Sequence, residues 1–115
     1  MATPDMARLA SGLWVSAYLA RLQSETIPAY VVARGDATAG AVLVKLATLD
    51  GKAAIWQRSF DLMTGEREWI VLADGNEPEM DQVLKRQRNN DPDLWIIEVE
   101  SRSGETLLDQ PGLAE

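Results

Sequence analysis

Lys45 is the residue of this sequence whose position most needs a chemical explanation, because it interrupts the apolar run Ala41–Leu49. A buried ammonium group costs several kcal/mol unless it is paired. We therefore expect Glu98, Glu100 or Asp50 as its partner, or a shifted pKa that would make Lys45 a base or a Schiff-base amine. The simpler interpretation is that its stem lies on a sheet while the charge reaches solvent.

Arg34 and Asp36 flank Gly35 where a predicted strand enters a flexible loop. A guanidinium fork beside a carboxylate at such a place could bind a small anionic or polar ligand. In the simpler interpretation, Asp36 caps its own turn and Arg34 pairs with a neighbouring acid. Arg34, Asp36 and Lys45 are the candidate ligand-binding residues of the sequence.

Four carboxylates lie within ten residues near the end of the chain, and oxygen ligands of this kind can recruit Mg²⁺ or Ca²⁺. Two of them flank Pro92 and are most simply a turn, and the other two are most simply solubilising charge at the end of an edge strand. We predict no metal site here. The four residues are Asp91, Asp93, Glu98 and Glu100.

Several kinds of chemistry are missing, since the chain contains no histidine and no cysteine. This composition removes the common catalytic triads, thiol chemistry and most zinc or haem sites. There is also no glycine-rich phosphate loop and no dinucleotide fingerprint. We assign no catalytic residue and predict no cofactor.

The charge of the chain is −7 and is unevenly distributed. Residues 1–60 carry six basic and four acidic side chains, whereas residues 61–115 carry five basic and fourteen acidic ones. A basic cluster at Lys85, Arg86 and Arg88 fits a solvated helix end, where positive charge complements the helix dipole. Because nucleic-acid binding relies on a basic footprint, we consider a nucleic-acid partner unlikely.

The length of 115 residues predicts a single domain, with loose ends at about 1–8 and 109–115. No stretch approaches the roughly 20 apolar residues that cross a bilayer. The beginning of the sequence also lacks a basic region followed by a long apolar run. We expect a soluble, cytoplasmic protein without a membrane partner.

The first helix is predicted over residues 11–25, with Ser11 as its cap. One side carries Leu13, Ala17 and Ala20, which could meet a loop of the same chain or a second subunit. The opposite side should pack on a sheet, because its apolar residues recur at helical spacing. They are Trp14, Val15, Tyr18, Leu19 and Leu22.

Four strands are predicted in residues 29–34, 41–49, 53–60 and 67–73. The second strand is apolar on both faces, so we expect it in the middle of the sheet. The pair Asp50-Gly51 accepts the positive φ angles of a tight hairpin, so the third strand must run antiparallel to the second.

A turn at 74–76 should precede the second helix, which begins near Pro78. Asn76 and Glu79 have the spacing of a capping box. Met80, Val83 and Leu84 form its apolar stripe, and Asp81 and Lys85 are placed to pair on its outer surface.

The last strand is predicted over residues 94–100, and a short closing strand over 106–108. The order helix, strands, helix, strand predicts an α+β fold with a mainly antiparallel sheet of four to five strands and two helices. The two faces of the last strand alternate, with Trp95, Ile97 and Val99 on one and Leu94, Ile96, Glu98 and Glu100 on the other.

Three segments together resemble a known family. They are Leu13–Leu19, then Arg34–Asp36 with Ala39–Lys45 and Leu49-Asp50-Gly51, and finally Asp91–Glu100. Their order and spacing are similar to a small bacterial family catalogued as domain of unknown function 1491, and the resemblance spans nearly the whole chain. It implies a single stand-alone bacterial domain, and it supplies no activity, cofactor or catalytic residue.

Two functions are therefore expected from the sequence. The first is a non-catalytic domain that binds a protein partner or itself, with a homodimer formed by helix or sheet-edge contacts. The alternative is a small carboxylate or lysine enzyme that works with or without a divalent metal. It would use Lys45 with the late glutamates, or Arg34 with Asp36.

Overall fold

The computed structural model describes residues 9–114, which form two helices and one five-stranded sheet. The strand order across the sheet is β1-β5-β2-β3-β4, in which β2 and β5 are parallel and all other neighbours are antiparallel. The predicted α+β fold and its order of elements are confirmed. The elements are α1 (Ser11–Ser24), β1 (Ala29–Ala33), β2 (Val42–Ala47), β3 (Lys52–Phe60), β4 (Arg67–Asn76), α2 (Glu77–Asn90) and β5 (Trp95–Glu100).

Helix α1 covers one face of the sheet with the predicted apolar stripe. Trp14, Val15, Tyr18 and Leu22 are buried, and they share a core with all three other tryptophans of the chain. The prediction that Ser11 caps the helix is wrong, because Ala10 holds that position without a side-chain cap. The Ser11 hydroxyl instead donates to the Gly40 carbonyl oxygen at 2.6 Å, which ties the helix start to the loop before β2.

Strand β2 lies at the centre of the sheet, as its two apolar faces predict. The predicted antiparallel hairpin between β2 and β3 is also confirmed. Strand β5 lies between β1 and β2, so our expectation that the late glutamates sit on an edge strand is wrong. Its predicted alternation is correct, since Trp95, Ile97 and Val99 join the core under α1, whereas Leu94 and Ile96 join the core under α2.

Helix α2 covers the opposite face and follows β4 directly. The expected turn at 74–76 is wrong, because β4 continues to Asn76, which pairs with Lys52. Asn76 caps the helix as predicted, because its Oδ1 accepts from the Glu79 backbone nitrogen at 3.2 Å. The return bond of the predicted capping box differs, since Glu79 Oε1 accepts from the Asn76 side-chain Nδ2 at 3.1 Å and not from its backbone nitrogen. Met80 and Leu84 are the buried residues of this helix.

The segment after β5 packs against the α1 side of the sheet. Residues 106–108 form no strand there, so the predicted closing strand is wrong. Leu107, Leu108 and Leu113 are buried in the core under α1. This packing differs from our expectation of a loose tail from residue 109, whereas the expected loose end at 1–8 lies outside the described residues.

Neither helix in the described part of the chain has the length and apolar character needed to cross a membrane.

Candidate functional site

Lys45 lies on the α2 side of the sheet at the centre of a cluster of three carboxylates. Its Nζ is 2.7 Å from Glu77 Oε2, 2.7 Å from Asp81 Oδ1 and 3.2 Å from Glu98 Oε1. Glu98 faces Lys45 because the two residues are direct partners in the β2–β5 register. Glu77 and Asp81 reach the same amine from one face of α2, since they are four residues apart. We call these four residues the Lys45 cluster.

The Lys45 cluster holds the amine in its protonated form. Only 4% of the Lys45 side chain is exposed, so the expected solvent-reaching ammonium is not found. Burial lowers the pKa of Lys45, but the hydrogen bonds to Asp81, Glu77 and Glu98 outweigh it and raise the pKa well above its ordinary value. A strongly retained proton makes this amine a poor base and a poor nucleophile.

Only one of the three partners expected for Lys45 is present in the cluster, namely Glu98. Glu100 accepts a hydrogen bond from the Tyr30 hydroxyl at 3.2 Å, and Asp50 accepts from the Thr48 hydroxyl at 2.6 Å. Our expectation that Asp81 pairs with Lys85 is replaced by its contact with Lys45. The four-residue spacing of Glu77 and Asp81 indicates that the two carboxylates share one face of α2. Only the packing of α2 on β2 shows that this face meets Lys45.

Asp36 caps its own turn, which is the simpler of the two interpretations. Its Oδ2 accepts hydrogen bonds from the backbone nitrogens of Thr38 at 3.1 Å and Ala39 at 2.8 Å. The Arg34 guanidinium carbon lies 5.4 Å from the centre of the Trp95 ring, and Trp95 belongs to the α1 side. The structure therefore separates Arg34 from Lys45, and ligand binding by these residues stays a prediction.

The four late carboxylates do not converge on one point. Asp91 Oδ1 accepts a hydrogen bond from the Asp93 backbone nitrogen at 3.0 Å, as in a turn, while Glu98 and Glu100 bind Lys45 and Tyr30. Between residues 9 and 114, no group of three or more acidic residues is arranged to hold a metal ion.

A cavity of about 800 Å³ opens at the end of the sheet where β2 begins and β3 ends, between the start of α1 and the end of α2. We call it the end cavity. Its wall includes aromatic rings and three charged side chains, and the sequence analysis did not identify it. These residues are Trp14, Phe60, Trp69, Arg58, Arg67 and Asp91.

In the wall of the end cavity, Arg58 lies against two neighbouring indole rings whose centres are 5.4 Å apart. Its guanidinium carbon lies 5.3 Å from the centre of the Trp14 ring and 4.8 Å from that of Trp69. Its Nη2 also donates to the Leu113 carbonyl oxygen at 3.4 Å, an oxygen that accepts from Trp69 Nε1 at 3.0 Å. A guanidinium fixed by rings and backbone is positioned in advance for an anion.

The loop before β2 forms another part of the wall, and two glycines allow it to pack closely on the segment before β5. A Cβ atom at Gly35 would lie 2.2 Å from the Asp93 carbonyl oxygen, and one at Gly40 would lie 2.3 Å from the same atom. Thr38, Ala39 and Gly40 of this loop line the cavity, whereas Asp36 holds their turn without lining it. The position of this loop depends on its packing against Asp93, a residue more than fifty positions away in the sequence.

A second cavity of about 630 Å³ lies beside the first and shares Arg67 and Trp69 with it. Its wall includes Trp56 and residues 104–110. Trp14 lines only the end cavity and Trp56 only the second one. These two indoles therefore distinguish the cavities experimentally.

Comparisons with known proteins give the family of the chain. Residues 9–109 match the family model described as protein of unknown function (DUF1491). The comparison with curated proteins gives no match.

Solved structures agree in both sequence and fold. The crystal structure of a DUF1491 family protein from Caulobacter crescentus has 35% identity, a TM-score of 0.81, and coverage of 90% of this chain and 98% of that chain. An NMR structure of a DUF1491 family protein from the same organism has 35% identity, a TM-score of 0.76, and coverage of 90% of this chain and 94% of that chain.

The solution structure of a protein from A. tumefaciens has 30% identity, a TM-score of 0.70, and coverage of 90% of this chain and 98% of that one. The family model and these structures each cover most of the chain. The chain therefore belongs to the DUF1491 family, whose structural relatives here come from bacteria.

Proposed function

We propose that this protein is a non-catalytic domain that self-associates through the outer edge of β1. The observation that carries the proposal is an apolar edge strand. Tyr30, Val31 and Val32 are 52%, 41% and 56% exposed on a strand whose only neighbour among residues 9–114 is β5. Exposed apolar edges of this kind are templates for pairing with another strand.

The backbone of β1 has hydrogen-bonding groups directed away from the sheet. The Pro28 carbonyl oxygen accepts from the Glu100 backbone nitrogen at 3.0 Å, which makes Pro28 and Glu100 a hydrogen-bonded pair. Antiparallel pairing alternates, so Ala29 and Val31 direct their N–H and C=O groups outward. These groups can bind a second strand.

A second copy of this chain is the partner that fits best. Residues 29–33 carry no charge, although the chain as a whole has a charge of −7. No charged side chain of the strand itself therefore opposes its pairing with a second copy. Antiparallel pairing of β1 with β1 of a second copy is compatible with a twofold axis, the symmetry of most dimers.

The outer face of α1 is the other contact surface that the sequence suggested. Leu13, Ala17 and Ala20 are exposed there, but only one of them has a large side chain. The helix backbone is already hydrogen-bonded internally, so α1 offers no open donors like those of β1. The sheet edge is the better candidate.

The alternative of a lysine or carboxylate enzyme gains no support from the Lys45 cluster. The amine is tied to three carboxylates and its pKa is raised. Arg34 and Asp36 are engaged separately, with the Trp95 ring and with the turn at Thr38 and Ala39.

Val32→Lys tests the proposal by placing a charge on the apolar edge. We expect light scattering with size exclusion to give a dimer mass for the wild type and a monomer mass for the variant, because lysine on an edge opposes strand pairing. The matched control is Leu62→Lys, at a position that is 87% exposed in the loop between β3 and β4. It should remain dimeric. A monomeric wild type throughout a dilution series, or a dimeric Val32→Lys, would overturn the proposal.

A further inference from the structure

We propose that the end cavity binds a small organic anion with a flat apolar body, such as an aryl carboxylate or aryl phosphate. Its volume of about 800 Å³ lies within the range of small-molecule sites. The cavity shares no residue with β1, so this binding is separate from the proposed dimer contact.

The charge of the wall favours an anion. Among the described residues that line the cavity, two are basic, Arg58 and Arg67, and one is acidic, Asp91, in a chain whose charge is −7. Guanidinium groups suit carboxylates and phosphates because their planar donors match both oxygens. Arg58 is already held in place by the Trp14 and Trp69 rings, so its ordering adds little to the cost of binding.

The aromatic part of the wall favours a flat apolar body. Trp14, Trp69 and the half-exposed Phe60 supply three ring systems around one opening. A bare inorganic ion would leave the aromatic surface unused.

Trp14 supplies a buried hydrogen-bond donor beside the end cavity, as Trp56 does beside the second one. Trp14 is 5% exposed, and its Nε1–H has no hydrogen-bond acceptor among the described residues. A buried donor without an acceptor lowers stability. A ligand oxygen that accepts a hydrogen bond from this N–H would remove that cost.

The indole N–H resonances of the four tryptophans provide the test on the full chain. The probes are benzoate and phenyl phosphate, with benzyl alcohol as the neutral match and inorganic phosphate as the anion without a ring. We expect benzoate or phenyl phosphate to shift the Trp14 and Trp69 signals saturably. The Trp95 signal should change least, because Trp95 does not line the cavity and its Nε1 already donates to the Asp36 carbonyl oxygen at 2.7 Å.

The tighter of the two anionic probes identifies the preferred headgroup. A saturable shift of Trp56 without Trp14 would place binding in the second cavity and overturn the proposal. The absence of saturation by either aryl anion would also overturn it. So would equal affinity for benzyl alcohol or for inorganic phosphate.

Arg67→Gln tests the charged part of the wall and leaves the Arg58 stack in place. We expect about tenfold weaker binding of the preferred aryl anion, the typical cost of removing one charged hydrogen bond. Arg86→Gln is the control, since Arg86 is exposed on α2 and does not line the cavity. Unchanged affinity in Arg67→Gln, or an equal loss in the control, contradicts the proposal. The wild-type comparison of charged and neutral probes stands if Arg67→Gln does not fold.

Discussion

Lys45 shows how one side chain can be structural at a position where its type suggests catalysis. Its ammonium is buried by the sheet and by α2, and three carboxylates from α2 and β5 satisfy it. Removing a buried member of such a cluster leaves the remaining charges facing one another. The acids here are partly open to water, so solvent screening moderates that effect.

Lys45→Met should lower the free energy of unfolding at neutral pH by about 1–3 kcal/mol, measured by urea denaturation. The pKa of Lys45 is raised in the folded state, so its contribution is fully present below the ordinary value of 10.5 and is lost as pH rises above it. The stability difference between wild type and Lys45→Met should shrink above about pH 10.5. A stability difference that stays constant as the pH rises above this value would contradict the conclusion that the carboxylates hold Lys45 in its protonated form. Burial also raises the pKa of Tyr18. Both proteins contain Tyr18, so its effect on stability cancels in the difference between them.

At the scale of elements, the loop between β1 and β2 connects three parts of the fold. Its carbonyl groups at Ala37 and Thr38 accept from the first backbone nitrogens of α1, at 2.8 and 3.2 Å from Gly12 and Ser11. The Asp36 backbone nitrogen donates to Asp93 before β5 at 3.0 Å. This loop therefore positions the helix start and one wall of the end cavity together.

Gly40→Ala should destabilise the protein by about 1–3 kcal/mol, because the added Cβ would lie 2.3 Å from the Asp93 carbonyl oxygen. The control is Gly12→Ala, whose Cβ would meet its nearest atom at 3.4 Å within a helix. That change should be neutral or stabilising, by up to about 1 kcal/mol. Thermal denaturation of both variants measures the contrast. Equal melting temperatures would show that the loop does not pack as described.

At the scale of the whole molecule, the segment after β5 completes the core under α1. The Tyr18 hydroxyl donates to the Thr106 carbonyl oxygen at 2.8 Å, and Leu113 is buried beside Trp69. Residues 106–114 thus form a cover over a face that α1 alone leaves incomplete.

Leu113→Ala should reduce the free energy of unfolding by about 2–4 kcal/mol, since it removes a buried side chain and leaves a void. Leu62→Ala, at a solvent-exposed loop position, should change it by less than about 0.5 kcal/mol. Denaturant titration of the two variants compares them directly. A Leu113→Ala protein as stable as wild type would mean that the segment is loose, as the sequence suggested.

The elements of this fold follow from local patterns in the sequence. The apolar spacing of α1, the Asp50-Gly51 hairpin and the Asn76 cap of α2 each act through neighbouring residues. The alternation of β5 also predicts which of its residues face each helix. These features depend on backbone geometry and residue type within a few positions, which a sequence displays directly.

Long-range contacts alone decide the rest. Lys45 meets Glu77 and Asp81 because α2 packs across β2, and Arg58 meets Trp14 because α1 packs across β3 and β4. The interior place of β5 and the burial of Leu113 likewise depend on pairings between distant segments. Local patterns carry no information on which distant partner fills a given space, so the composition of the Lys45 cluster and the end cavity emerges only when the layers are assembled.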